Sequence, residues 1–248
     1  MRLAGKTAIV TGGASGFGAG IVRKFVAEGA RVMVADINGD GAAALALELG
    51  EGVISQLVNV ARSADVQAMA KRAIGHFGSL DILVNNAGIS HQPMPMEDVT
   101  EDEFDRVLAV NAKSVYLSAK HIVPHMKANG AGVILNVAST AGVSPRPNLN
   151  WYNASKGWMI TATKTMAVEL APYGVRVNAL NPVAGETPLL KTFMGEDTPE
   201  IRAKFLATIP LGRFSTPQDM GNAACFLCSD EASMITGVAM EVDGGRCI

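Results

Sequence analysis

An α/β fold, with a seven-stranded parallel sheet doubly wound by helices in a single domain, is predicted by three observations. Seven short apolar runs recur along the 248 residues, and helical periodicity separates each from the next. The first run opens into a glycine-rich turn and then a helix, through Val10-Thr11-Gly12-Gly13-Ala14-Ser15-Gly16-Phe17-Gly18. The length suits one sizeable core without a second domain. Strands alternating with helices give a parallel sheet covered on both faces. Right-handed crossovers then place a ligand crevice at the carboxyl ends of the strands.

The strands are expected at 6–11, 31–36, 53–58, 82–85, 133–137, 175–181 and 238–242. The first helix is expected at 19–29, where Ile21, Val22, Phe25 and Val26 share an apolar stripe. Gly12 and Gly16 permit a tight turn, and Gly18 lets the helix approach the strand, so a pyrophosphate fits on the helix N-terminus. The spacing is T-G-x-x-x-G-x-G rather than G-x-G-x-x-G, and by itself an ordinary βα turn explains it equally well. The one long irregular region is 183–217, where Pro188, Pro199, Pro210 and Pro217 interrupt short helical stretches. It reads as a lid over the crevice.

Hydrophobic residues make up 48%, charged residues 18%, and the net charge is −2. That balance argues against disorder and against a nucleic-acid partner. No eighteen-residue apolar run is present and no apolar signal region precedes the first strand, so a cytoplasmic protein with no membrane contact is expected. Cys225 and Cys228 are spaced C-x-x-C but fall within a helical pattern, which suits buried small side chains better than a redox pair or a metal. His121 and His125 stand at i, i+4 without a third ligand of suitable type, and no metal site is expected.

The residues just after each strand carry the functional reading. Asp36, 24 residues past Gly12, suits an adenosine ribose diol and repels a 2′-phosphate, which favours NAD over NADP; a turn aspartate beside Asn38-Gly39 is the plainer alternative. Asn59 offers an amide oxygen to an adenine amino group, or is a loop polar residue. Asn85-Asn86-Ala87-Gly88 is small and polar, as a backbone lying along a cofactor needs. Ser139 follows the fifth strand. Thirteen residues later come Tyr152 and Lys156, at i, i+4 on one helix face. Free tyrosine has a pKa of about 10, and lowering it toward 7 needs about 4 kcal/mol. A cation about 5 Å away at an effective dielectric near 20 offers roughly 3 kcal/mol, and an oxidised nicotinamide ring adds a second positive charge. Tyr152 is therefore expected to titrate near neutral pH as an acid–base group.

Together, Thr11 to Gly18, Asn85 to Gly88, Asn111, Ser139, Tyr152-x-x-x-Lys156, Asn181-Pro182 and Asp243-Gly244-Gly245 resemble the short-chain dehydrogenase/reductase family, over essentially the whole chain and in order. The resemblance implies a Rossmann-like fold and a catalytic tetrad. In it Ser139 orients the carbonyl or hydroxyl, Tyr152 transfers the proton, Lys156 lowers its pKa and holds the ribose, and Asn111 fixes a water relay. It further implies nucleotide contacts from Gly12, Ser15, Gly16, Phe17, Gly18, Asp36, Asn59, Val60, Asn86, Ala87, Gly88, Tyr152, Lys156, Pro182 and Thr187. The family usually has Asp at position 59 and Gly at position 183. Val183 is expected to narrow the pocket or shift its backbone.

The function implied is NAD(H)-dependent hydride transfer to or from a secondary alcohol or ketone of a free small molecule, such as a sugar or polyol. An acyl-carrier-protein thioester reductase is the alternative, set back by Asp36 and by the uncharged Asn129-Gly130-Ala131-Gly132 before the fifth strand. A non-catalytic NAD(H)-sensing scaffold is the reading from another class. Candidate substrate walls are Ser90, His91, Gln92, Arg146, Asn148, Trp151, Glu186, Leu189 and Leu190. The family implies a homotetramer, with Trp158, Met159, Met166 and Val168 offering apolar surface on the helix after Tyr152.

Overall fold

The computed structural model describes residues 1–248. In chain order the strands are β1 (Thr7–Thr11), β2 (Arg31–Asp36), β3 (Val53–Leu57), β4 (Ile82–Asn85), β5 (Gly132–Val137), β6 (Val175–Pro182) and β7 (Ala239–Val242). They form one sheet in the order β3-β2-β1-β4-β5-β6-β7. Every neighbouring pair is parallel. Each strand lies within one residue of its expected bounds, because alternating β-branched runs have few other ways to be buried on both faces.

The helices are α1 (Gly16–Ala27), α2 (Gly39–Leu49), α3 (Ser63–Phe77), α4 (Glu101–Leu108), α5 (Ser114–Asn129), α6 (Asn150–Leu170), α7 (Leu189–Met194), α8 (Pro199–Leu206) and α9 (Pro217–Cys228). Side-chain alternation along the strands builds two cores. Ala8, Val10, Val32 and Val34 pack with Ile21, Phe25, Leu45 and Met220 of α1, α2 and α9. Ile9, Met33 and Ala35 point the other way, against Met69, Phe77, Ile122 and Leu170 of α3, α5 and α6. One face is unusually close: a Cβ on Gly20 of α1 would lie 2.1 Å from the Pro217 carbonyl oxygen that begins α9.

The chain winds outward from β1 to β2 and β3, then returns across β1 to β4. The carboxyl ends of β1 and β4 are therefore the point where the loops diverge, and the crevice opens there. The 183–217 segment is a packed layer with its own apolar cluster of Val183, Leu190, Met194, Ile209 and Phe214. Pro199 and Pro217 sit at the first turns of α8 and α9, where their missing N–H costs nothing. Cys225 and Cys228 lie inside α9, unbonded and buried, and burial pushes both thiols up, away from the thiolate that redox chemistry needs. His121 instead meets the Ser63 hydroxyl at 2.9 Å, and His125 meets Asn129 at 2.9 Å. No helix is long and apolar enough to cross a membrane.

Candidate active site

A cavity of about 470 Å³ follows the carboxyl edge of the sheet, and its walls come from the segments after β1 to β6. Its floor is set by the first glycine turn. Gly12 and Gly16 have φ of +60° and +51°, a region that side chains with a Cβ rarely enter. A Cβ on Gly18 would lie 1.9 Å from the Gly12 carbonyl oxygen, so only glycine lets α1 start so close to β1. Thr11 Oγ1 donates to Val84 O and accepts from the N–H groups of Asn86 and Ala87. Asn86 Nδ2 donates to the carbonyls of Thr11 and Gly12. These bonds lock the ends of β1 and β4 around the opening.

The geometry fits a dinucleotide. Ser15 makes no side-chain cap on α1 and the first turn carries no carboxylate, so the positive end of the helix is left to an anion from the cavity. Asp36 accepts from Ala14 N and Asn38 N, both at 2.9 Å, which fixes its carboxylate beside the turn with acceptor capacity to spare. The cavity wall includes every nucleotide-binding position named from the sequence: Gly12, Ser15 to Gly18, Asp36, Asn59, Val60, Asn86 to Gly88, Tyr152, Lys156, Pro182 and Thr187. Asn59 differs in detail, since its amide oxygen already accepts from Ala61 N at 3.0 Å and one lone pair remains. Val183 packs in the apolar cluster of the 183–217 layer and also lines the cavity, while its N–H reaches Val242 O at 3.4 Å.

Ser139, Tyr152 and Lys156 line the same cavity. Ser139 Oγ accepts from Ala141 N at 3.0 Å and neighbours the Tyr152 phenol. Lys156 Nζ donates to Val137 O at 2.9 Å and lies 5.9 Å from the Tyr152 ring centre. The α6 helix is held there by close approach: a Cβ on Gly142 would lie 2.8 Å from Gly157 N.

The titration of this pair in the protein alone differs from the near-neutral value expected with the oxidised cofactor's charge beside it. Burial pushes Tyr152 up to about 12, against a smaller lowering by the neighbouring Ser139 hydroxyl. Burial also brings Lys156 down to about 8. Loss of hydration on the charged form is the dominant cause for both groups. In the protein alone, Tyr152 is a neutral phenol at physiological pH and Lys156 remains mostly charged.

Asn111 is not on the wall. It sits in one turn of π-helix, Ala109–Lys113, between α4 and α5. Its Oδ1 accepts from Ile89 N at 2.9 Å, and its Nδ2 donates to Ile89 O at 2.9 Å and Ser155 Oγ at 3.0 Å. Both side-chain donors are thus committed to clamping the loop after β4 onto α6.

The substrate end is more apolar than the sequence suggested. Ser90 and His91 are buried outside the cavity, and Trp151 is tied to Met96 O at 3.1 Å. Arg146 and Leu189 do line it, joined by Leu149, Phe193 and Phe205, which sequence reasoning missed. Phe193 stands 5.0 Å from the Tyr152 ring. The available signal was two phenylalanines twelve residues apart in the short lid helices.

A family model described as Enoyl-(Acyl carrier protein) reductase matches residues 12–246. The chain belongs to the short-chain dehydrogenase/reductase family. Among its relatives, 4-formylbenzenesulfonate dehydrogenase TsaC1/TsaC2 of Comamonas testosteroni is 53% identical over the full length of both chains. The 2-dehydro-3-deoxy-L-rhamnonate dehydrogenase (NAD(+)) of Sphingomonas sp. (strain SKA58) is 38% identical, covering 99% of this chain and 96% of the relative. A crystal structure of 3-ketoacyl-(acyl-carrier-protein) reductase from Brucella melitensis complexed with NADH superposes with a TM-score of 0.95 at 51% identity, covering 99% of this chain and all of the other.

Proposed function

We propose that this short-chain dehydrogenase/reductase interconverts an alcohol and a carbonyl on a free small molecule, with NAD(H) as cofactor. The observation that carries the reading is the convergence of Ser139, Tyr152 and Lys156 in one cavity with the uncapped, glycine-lined start of α1. The nicotinamide cofactor, when bound, supplies or accepts the hydride. The chain's own residues do the rest. Ser139 Oγ and the Tyr152 hydroxyl hold the reacting oxygen. Tyr152 enters reduction protonated and gives its proton to that oxygen as charge develops. Charged Lys156 steadies the resulting phenolate. Asn111, through Ile89 and Ser155, positions the catalytic helix.

Asp36 supports NAD over NADP, since a 2′-phosphate would meet its carboxylate. The 4-formylbenzenesulfonate of the 53% identical relative is a free aryl aldehyde, in keeping with the aromatic wall here. The second reading, reduction of an acyl-carrier thioester, is favoured by the family-model description and the Brucella structure. The three unpaired thiols suit a reducing, cytoplasmic location. The exposed Trp158 and Val168 on α6 suit a homotetramer.

The test is a kinetic comparison in both directions with NAD(H) and NADP(H), over free alcohols and aldehydes and a 3-oxoacyl carrier thioester. NAD(H)-linked turnover of a free compound is expected to dominate. Tyr152→Phe is expected to lower that turnover at least about a hundredfold while nearly keeping NADH affinity. A phenylalanine variant that keeps most of its activity would remove Tyr152 as the acid, and faster NADPH-driven thioester reduction would reverse the substrate ranking.

A further inference from the structure

Two arginines meet at the substrate end of the cavity with no acidic partner. Arg146, in the loop between β5 and α6, is half-buried and lines the wall. Its guanidinium carbon lies 4.4 Å over the Phe205 ring, and its Nη2 donates to Thr208 Oγ1 at 3.1 Å. Its backbone is held as well, since the Asn153 side chain donates to Arg146 O at 2.7 Å. Behind it, Arg246 Nη1 donates to Ser144 Oγ at 3.0 Å, while Arg246 Nε is buried with no partner. Neither arginine is in a salt bridge, although seven other pairs are.

That arrangement is costly in the free protein. Burial lowers the Arg146 pKa, and the neighbouring Arg246 charge lowers it further. An ordinary surface arginine extends its head into water, but this one sits over an aromatic ring of the cavity wall. Thr208 uses one of its five donors, and the rest of its planar fork is unused, a shape that matches carboxylate or sulfonate oxygens. Ser144 already accepts from Arg246, so its hydroxyl proton is free to be donated into the cavity. Between the arginine and Tyr152 the wall supplies Phe193, Phe205 and Leu149, a lining for a flat apolar body.

We propose that Arg146 is the specificity-determining residue for a substrate in which an aromatic body joins the reacting carbonyl or carbinol to a fixed anionic group. The anion pairs with the Arg146 fork and the Ser144 hydroxyl, and it relieves the repulsion from Arg246. This rests on the oxidoreductase reading but is testable apart from it.

The first measurement is NADH-driven reduction of 4-carboxybenzaldehyde against benzaldehyde, and of 4-acetylbenzoate against acetophenone. The wild type is expected to favour the anionic member of each pair by about thirtyfold or more in kcat/KM, mostly through KM. Arg146→Met is expected to abolish that ratio, Arg146→Lys to restore part of it, and Arg246→Met to reduce it. The second measurement needs no turnover: benzenesulfonate binding to the NADH complex, by calorimetry, is expected in the wild type and lost in Arg146→Met, with melting curves confirming that the variant is folded. A wild-type ratio near one, or a ratio unchanged in Arg146→Met, overturns the inference and leaves the oxidoreductase reading standing. Arg146-dependent binding of benzenesulfonate without turnover of any aldehyde supports the anion subsite and overturns the oxidoreductase reading instead.

Discussion

Lys156 is the residue at which function and stability conflict. Its ammonium is 4% exposed, has one carbonyl partner at 2.9 Å and no carboxylate, and burial lowers its pKa from 10.5 to about 8. Between those two values the unfolded chain binds more protons than the folded one, so stability rises as pH rises through that window. Below about pH 8 the whole cost is present, of order 3 kcal/mol from a shift of that size. Lys156→Met is therefore expected to melt higher than the wild type at pH 7 while losing activity, and the gain should disappear by about pH 10.5. Melting curves across pH 6 to 11 check this; a lower melting temperature at pH 7 would contradict it. Tyr152 and Lys156 were legible as a pair from their spacing alone. Their titration was not, because hydration lost on burial depends on everything packed around them.

At the scale of elements, the contact between α1 and α9 shows what the chain pattern conceals. Gly20 is an ordinary helical glycine in sequence, with no turn or positive φ to mark it. In the fold, its missing Cβ is what lets Pro217 pass: an added methyl would lie 2.1 Å from that carbonyl oxygen and 2.5 Å from its carbon. Backbone cannot yield as a flexible side chain does. Gly20→Ala is expected to cost about 3 kcal/mol, a fall of roughly 6 to 12 °C in Tm. Gly75→Ala in α3 is the control, since nothing lies within 4 Å of the added Cβ. Helix propensity there predicts a gain of about 0.5 to 1 kcal/mol. Comparable Tm values for the two variants would sink the argument. The 183–217 layer follows the same division. Its prolines marked where helices begin, but nothing in the sequence placed Phe193 and Phe205 against the catalytic cavity.

The whole molecule leaves apolar surface uncovered on α5 and α6. Trp158 is 44% exposed and Val168 78%, with Tyr116 of α5 at 55%. Met159 and Met166, expected beside them, belong largely to the chain's own core. The exposed apolar residues are fewer than the sequence implied. A homotetramer with twofold interfaces is expected, four times the 25.9 kDa chain in light scattering at micromolar concentration. Trp158→Asp is expected to shift the population toward smaller species. A monomeric wild type would rule the assembly out.

By itself the sequence determined the architecture and which nucleotide-binding and catalytic candidates would meet along one crevice. Strand bounds came within one residue, since a period-two or continuous apolar run buried on both faces has one stable arrangement, with helices over it. Gly12, Gly16, Asp36, Ser139, Tyr152 and Lys156 were readable because each follows a strand or lies at a fixed helical spacing, where local geometry dictates direction. Tertiary structure alone decided the substrate wall, the clamp made by Asn111, the desolvation of Tyr152 and Lys156 and the meeting of Arg146 with Arg246. These features join residues as far apart as 146 and 246. Their energies come from desolvation and like-charge contact, which exist only once distant segments pack together.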